Sequence, residues 1–123
     1  MIKRKIFIAT GGTGGHIFPA CSLAKSLIQS NYDVTIITDT RGFNFLKTFK
    51  FLNIIKINSS PVIKRNAFKY LISIFTIITS IIRSTILLIT NRPTIIFGMG
   101  GYASFPLCVA AFVLRIKFII YEN

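Results

Sequence analysis

Five short runs, residues 5–9, 34–38, 54–57, 94–97 and 118–121, are dominated by β-branched and aromatic residues and show no polar alternation. A strand with water on one face alternates apolar and polar positions, whereas a strand covered on both faces does not. Segments of helical period lie between the runs. Behind Pro19, which suits a first helical turn, Ala20, Leu23, Ala24, Leu27 and Ile28 recur at helical spacing, and Asn31 is a helix stop. Residues 41–51 form a weaker helical segment, 66–90 a long helix with Pro93 just beyond it, and 105–114 another helix. Strands alternating with helices in this way form a parallel sheet covered on both faces. The pattern predicts an α/β, doubly wound, Rossmann-like sheet, and a length of 123 residues predicts one small domain.

Two of the turns in this scheme are rich in glycine. GGTGGH, residues 11–16, follows the first strand, and GMGGYASFP begins at Gly98 after the fourth. Ligands of an open α/β sheet bind outside the carboxyl ends of its strands. Both loops fall at that rim, where glycine lets backbone N–H groups come close to a ligand. A helix N-terminus adds unpaired N–H donors and about half a positive charge. Two such loops at one edge point to a phosphate or diphosphate site. The P-loop pattern is not met, since no lysine follows the glycines, and GxGxxG fails at Ile17. Asp39 ends the second strand, where an acid can hold a ribose, so a nicotinamide-dependent oxidoreductase is a rival reading. A capping or turn role suits the same residue.

Lys and Arg number 15 against three acids, Asp33, Asp39 and Glu122, for a formal charge of +12. That excess favours phosphates, acidic lipid surfaces or nucleic acid as partners. A composition rich in Ile, Lys, Asn and Phe, as an AT-rich coding sequence produces, would raise basic and apolar counts together. Three scattered acids offer too few oxygen ligands for a divalent cation, so no metal is expected. Cys21 and Cys108 make neither a disulfide framework nor a CxxC pair, and free buried thiols are expected. Behind Lys3, Arg4 and Lys5 the apolar stretch 6–9 is too short for a secretory signal.

GGTGGHIFPA, GMGGYASFP and IIYEN, in this order and across essentially the whole chain, resemble the N-terminal half of the MurG family of GT-B glycosyltransferases. The resemblance implies transfer of N-acetylglucosamine from UDP-GlcNAc to lipid I (undecaprenyl-diphosphate-MurNAc-pentapeptide), giving lipid II in peptidoglycan synthesis without a cofactor. It implies two Rossmann-like domains. Residues 1–123 would be most of the acceptor-side one, truncated before its end, with the nucleotide-holding domain in a complementing C-terminal half. The chain alone would then lack transferase activity. Carried over by motif, Thr13, Gly14 and Gly15 would face the donor sugar and the acceptor diphosphate. Gly100 and Gly101 would join them in substrate binding, and Tyr102 and Ser104 would line the acceptor site. Tyr121, Glu122 and Asn123 fill the first three places of the family's His-Glu-Gln-Asn strand ending, and Asn123 is taken as a substrate-binding residue.

Such a reaction needs a base for the MurNAc 4-hydroxyl and positive potential for the departing diphosphate. His16 is the chain's one imidazole and falls at a helix start, whose positive end favours the neutral, proton-accepting ring. It is the candidate base, with Glu122 as competitor; capping the helix or orienting the loop is its structural alternative. The partners implied are UDP-GlcNAc, lipid I and an anionic membrane surface, not nucleic acid. A non-catalytic fragment that binds lipid diphosphate or partner proteins is the rival from another class.

On a wheel of the long helix, Arg65, Lys69, Ser73, Thr76, Ser80 and Arg83 form one stripe about 80° wide at 100° per residue. Nearly everything else from residue 71 to 88 is apolar. A surface helix ordinarily buries one apolar stripe and shows water a broad polar face. Lys64, Arg65, Lys69, Phe75 and Arg83 are therefore expected to rest on anionic lipid headgroups. A helix wedged between the sheet and a neighbouring helix is the other reading. Residues 70–90 approach the length of a membrane span, but one crossing would put the glycine loops on opposite sides and split the sheet. Together with the resemblance, this places the protein peripherally on the cytoplasmic face of the bacterial inner membrane.

Overall fold

The computed structural model describes residues 2–57 and 66–121. Along them run β1 (Lys5–Thr10), α1 (Gly14–Gln29), β2 (Asp33–Thr38), α2 (Thr40–Leu46), β3 (Asn53–Lys56), α3 (Ala67–Asn91), β4 (Ile95–Gly98), α4 (Ser104–Val113) and β5 (Lys117–Ile120). The strands form one all-parallel sheet in the order β3-β2-β1-β4-β5. In the central strand, Ala9 stands opposite Ile37 of β2 on one side and Gly98 of β4 on the other. The loops after β1 and β4 therefore leave the same rim as neighbours. The chain order reverses between these two strands, which is where open α/β sheets hold their ligands.

Both faces of the sheet are covered. On one, Ile6, Ile8, Val34 and Ile36 meet Ile17, Ala20 and Ala24 of α1 and Leu46 of α2. On the other, Phe7, Ala9, Ile37 and Ile96 meet Leu88 of α3 with Leu107, Ala110 and Ala111 of α4. Successive residues of β1 thus enter opposite cores, which explains why its run lacks polar alternation.

Two helix boundaries differ from the sequence reading. α1 starts at Gly14 rather than beside Pro19, so Pro19 lies inside the helix. The cause is the Thr13 carbonyl, which accepts the amides of both His16 and Ile17 and closes a first turn ahead of the proline. α2 ends at Leu46 rather than at Phe51. Beyond it the Phe49 and Leu52 amides bond to the Leu46 and Phe49 carbonyls, tight turns that swing the chain into β3.

The long helix is oriented differently from a surface helix of ordinary pattern. Its buried positions are Ser73, Ser80, Ser84 and Leu88, so much of the small polar stripe faces protein. α3 runs close along α4, and serine is small enough to let two helix backbones approach. On the opposite side Phe68, Leu71, Phe75, Ile78, Ile82, Ile86 and Ile89 are exposed, and Lys69 and Arg83 are exposed at positions along the serine stripe. Among the described residues this outer side has no covering element, while the other side is buried. The helix is long and apolar enough to cross a membrane by length and composition. It nevertheless joins β3 to β4 of one sheet, which keeps it alongside the domain. Lys64 and Arg65 of the expected patch lie outside the described residues.

Candidate functional site

The two glycine loops touch backbone to backbone. The Gly11 N–H donates to the Gly100 carbonyl at 2.9 Å. A Cβ on Gly11 would stand 2.8 Å from the Gly101 Cα, so the approach requires glycine there. Gly100 and Gly101 have φ of +100° and +85°, the left-handed region in which side chains are strained.

Thr13 occupies the N-cap position of α1, yet its hydroxyl does not cap the helix. It lies 2.7 Å from Nδ1 of His16 instead. The exposed amides of Gly14 and Gly15 consequently have no partner among the described residues. They are free donors at the positive end of a 16-residue helix. A Cβ on Gly15 would meet nothing within 4 Å, so the space before it is open. The half-buried His16 ring lies over the second loop, where a Cβ on Gly100 would stand 2.6 Å from its Cδ2 and 2.8 Å from its Nε2. A neutral ring that donates from Nδ1 to Thr13 keeps a lone pair on Nε2, as a general base requires, whereas a ring that accepts the Thr13 hydroxyl proton at Nδ1 carries its hydrogen on Nε2.

Between the loops and the start of α2 lies a cleft of about 450 Å³. Gly11, Gly12, Thr13, His16, Gly101 and Tyr102 form one wall, and Asp39, Thr40 and Arg41 the other. Asp39 caps α2, its Oδ1 accepting the Gly42 N–H at 2.8 Å, which matches the capping role. Tyr102 is exposed at the cleft. Ser104 is buried beneath the loop, where its hydroxyl donates to the Gly101 carbonyl at 2.9 Å, and it does not line the cleft. Glu122 and Asn123 lie outside the described residues. Thr13, His16, Gly101 and Tyr102 are thus brought together, with Gly100 bonded behind them and Gly14 and Gly15 exposed on the adjoining helical turn. Thr40 and Arg41 are cleft residues that the sequence reading does not single out; their place directly after a strand's carboxyl end was the available signal.

Among the described residues no group of three His, Cys, Asp or Glu side chains gathers as a metal site. Cys21 and Cys108 are free, and burial pushes both thiols up from their ordinary values, so both are protonated at neutral pH. Neither lines the cleft.

Residues 6–123 match the glycosyltransferase family 28 N-terminal domain. Over 122 residues the chain is 38% identical to the UDP-N-acetylglucosamine–N-acetylmuramyl-(pentapeptide) pyrophosphoryl-undecaprenol N-acetylglucosamine transferase of Bartonella henselae, covering 98% of this chain and 32% of that protein. The transferase of the same name from Protochlamydia amoebophila is 32% identical over 123 residues, covering 98% of this chain and 33% of its own length. The chain spans about a third of the length of these curated relatives. The crystal structure of Acinetobacter baumannii MurG superposes with a TM-score of 0.81 at 26% identity, over 95% of this chain and 34% of that one. The calicheamicin glycosyltransferase CalG4 superposes with a TM-score of 0.70 over 100% of this chain and 32% of that one, at 15% identity, a likeness of fold alone.

Proposed function

The chain belongs to the glycosyltransferase family 28 N-terminal domain family, and on that premise we propose that it is the acceptor-side part of an N-acetylglucosaminyltransferase acting from UDP-GlcNAc on lipid I. One observation carries this reading. The Gly11–Gly100 backbone bond of 2.9 Å locks two glycine loops together and sets the free Gly14 and Gly15 amides beside an open cleft. Unpaired amides at a helix N-terminus suit a diphosphate. Thr13 and the loop glycines face the substrates, Tyr102 flanks the acceptor, and Ser104 supports the second loop from below. His16, oriented by Thr13, takes the proton of the MurNAc 4-hydroxyl. The oxygen so activated bonds to the anomeric carbon of N-acetylglucosamine while the bond to UDP breaks, and UDP leaves with the electron pair, inverting the configuration. Glu122 is the competing base.

The nucleotide-holding domain, in the same or a second polypeptide, completes the site, and the sheet continues beyond β5 into the remainder of the acceptor domain. The outer side of α3, with Phe75 central and the exposed cations Lys69 and Arg83 on the stripe that flanks it, rests peripherally on the anionic cytoplasmic face of the inner membrane. Its chemistry supports this reading. All four threonines of α3 return their hydroxyls to carbonyls of their own helix, Thr76 to Ile72, Thr79 to Thr76, Thr85 to Ile81 and Thr90 to Ile86. A face with such internal bonds brings few unmet polar groups to an apolar medium.

The reading is tested by adding a polypeptide that carries the nucleotide-holding domain and following lipid II formation from lipid I. Transfer is expected, and His16→Ala is expected to retain lipid I binding while losing turnover by about 10²–10⁴-fold. An inactive pair whose first chain still binds lipid I would make this a binding protein. Unchanged turnover in His16→Ala would pass the base role to Glu122.

A further inference from the structure

We propose that Arg41 is a diphosphate-binding residue, the cationic partner of the acceptor's diphosphate in the cleft that it shares with Thr13 and His16, beside the helical turn that carries the Gly14 and Gly15 amides. This rests on the acceptor-site reading of the cleft and adds to it a residue with a full charge. Amide dipoles alone orient an anion but leave its net charge uncompensated, and a guanidinium forms paired, charge-assisted hydrogen bonds to phosphate oxygens. Among the residues that line the cleft, Arg41 is the one permanent cation.

Its placement is built rather than incidental. A Cβ on Gly12 would stand 2.6 Å from the Arg41 Cβ and 3.0 Å from its Cδ, so the missing side chain of Gly12 makes the channel in which the aliphatic stem lies. The first glycine loop therefore serves two purposes, since Gly11 admits the second loop and Gly12 admits the arginine. Asp39, close enough to compete, has an Oδ1 that accepts the Gly42 N–H at 2.8 Å. The Arg41 guanidinium forms neither an ion pair nor a hydrogen bond with any described residue. It is an unpaired charge on the wall of a cleft that Thr13 and His16 also line, next to the helical turn whose Gly14 and Gly15 amides are free. Arg92 is a cation of another kind, its Nη2 donating to the Leu114 carbonyl at 3.3 Å away from this cleft.

Geranyl diphosphate and UDP, titrated separately into isotope-labelled chain and followed by amide chemical shifts, test the assignment. Geranyl diphosphate is expected to move the Gly14 and Gly15 signals. Arg41→Gln, which keeps the stem against Gly12, is expected to weaken that binding about tenfold or more and to flatten its salt dependence. Arg41→Lys should recover part of the affinity, and Arg92→Gln should change nothing. Unaltered geranyl diphosphate affinity in Arg41→Gln, with the glycine signals still moving, would overturn the role of Arg41 and leave the cleft reading intact. Loss confined to UDP would overturn it too, by assigning the charge to the donor. Wild-type glycine signals indifferent to geranyl diphosphate would remove the acceptor-site reading itself, and the proposal with it.

Discussion

Gly15 and Gly101 look alike in the sequence and differ in what a methyl group would meet. A Cβ on Gly101 overlaps the Gly11 Cα, and the residue holds a φ of +85°. Gly101→Ala is therefore expected to cost about 1–3 kcal/mol and to part the two loops. A Cβ on Gly15 meets only open space. Gly15→Ala should leave stability unchanged or raise it by up to about 1 kcal/mol, the usual alanine advantage inside a helix, yet weaken diphosphate binding by crowding the free amide. Thermal denaturation with a geranyl diphosphate titration of both variants checks the pair. Equal destabilisation, or undiminished binding in Gly15→Ala, would contradict it. The sequence shows that glycines gather at the rim, because strand ends and turn composition are local signals. It does not show which glycines serve packing and which leave room for a ligand, since that depends on contacts between the loop after β1 and the loop after β4. The Thr13–His16 contact is hidden for a related reason: a threonine before a helix reads as a cap, and only the fold diverts its hydroxyl to the imidazole.

At the level of the element, α3 shows where a pattern can be recognised and its orientation still misjudged. Helical period and apolar excess are both plain from residue 67 to 91. The habit of turning polar residues to water fails because Ser73, Ser80 and Ser84 are small enough to be buried in a helix that packs closely on α4. Size decides, not polarity. Ser80→Leu should consequently overpack the helix contact and destabilise the domain by about 1–3 kcal/mol. Ile82 is 53% exposed on the opposite side. Ile82→Glu should shift stability by no more than about 0.5 kcal/mol, as exposed substitutions do. The same variant should abolish flotation with vesicles containing anionic lipid, because it sets a like charge into the face proposed to meet them. Urea denaturation and vesicle flotation separate the two effects. Strong destabilisation by Ile82→Glu would mean that this side is covered by protein, and retained flotation would move the membrane contact elsewhere.

For the molecule as a whole, the two sheet edges are unlike. β3 has half-buried Ile54 and Ile55 between exposed Asn53 and Lys56, a short edge guarded by a charge. In β5, Ile119 and Ile120 point to opposite faces and are 48% and 60% exposed, and Ile119, Ile120 and Tyr121 border an apolar groove of about 450 Å³ with Phe97 and Met99. A strand apolar on both faces is suited to the interior of a parallel sheet, and nothing in the described residues covers this one. The five-run pattern made the sheet legible, but the asymmetry of its edges needed the strand order, in which the last strand takes an outer place. If β5 is built to be paired, the chain by itself should self-associate at micromolar concentrations through that edge. Ile119→Thr together with Ile120→Lys should then leave it monomeric in sedimentation velocity. Addition of a polypeptide carrying the rest of the acceptor domain should slow hydrogen exchange at the β5 amides of the wild-type chain, and the double variant should lose that protection. A wild-type chain that stays monomeric, with β5 exchange unmoved by the added polypeptide, would make β5 a true outer strand.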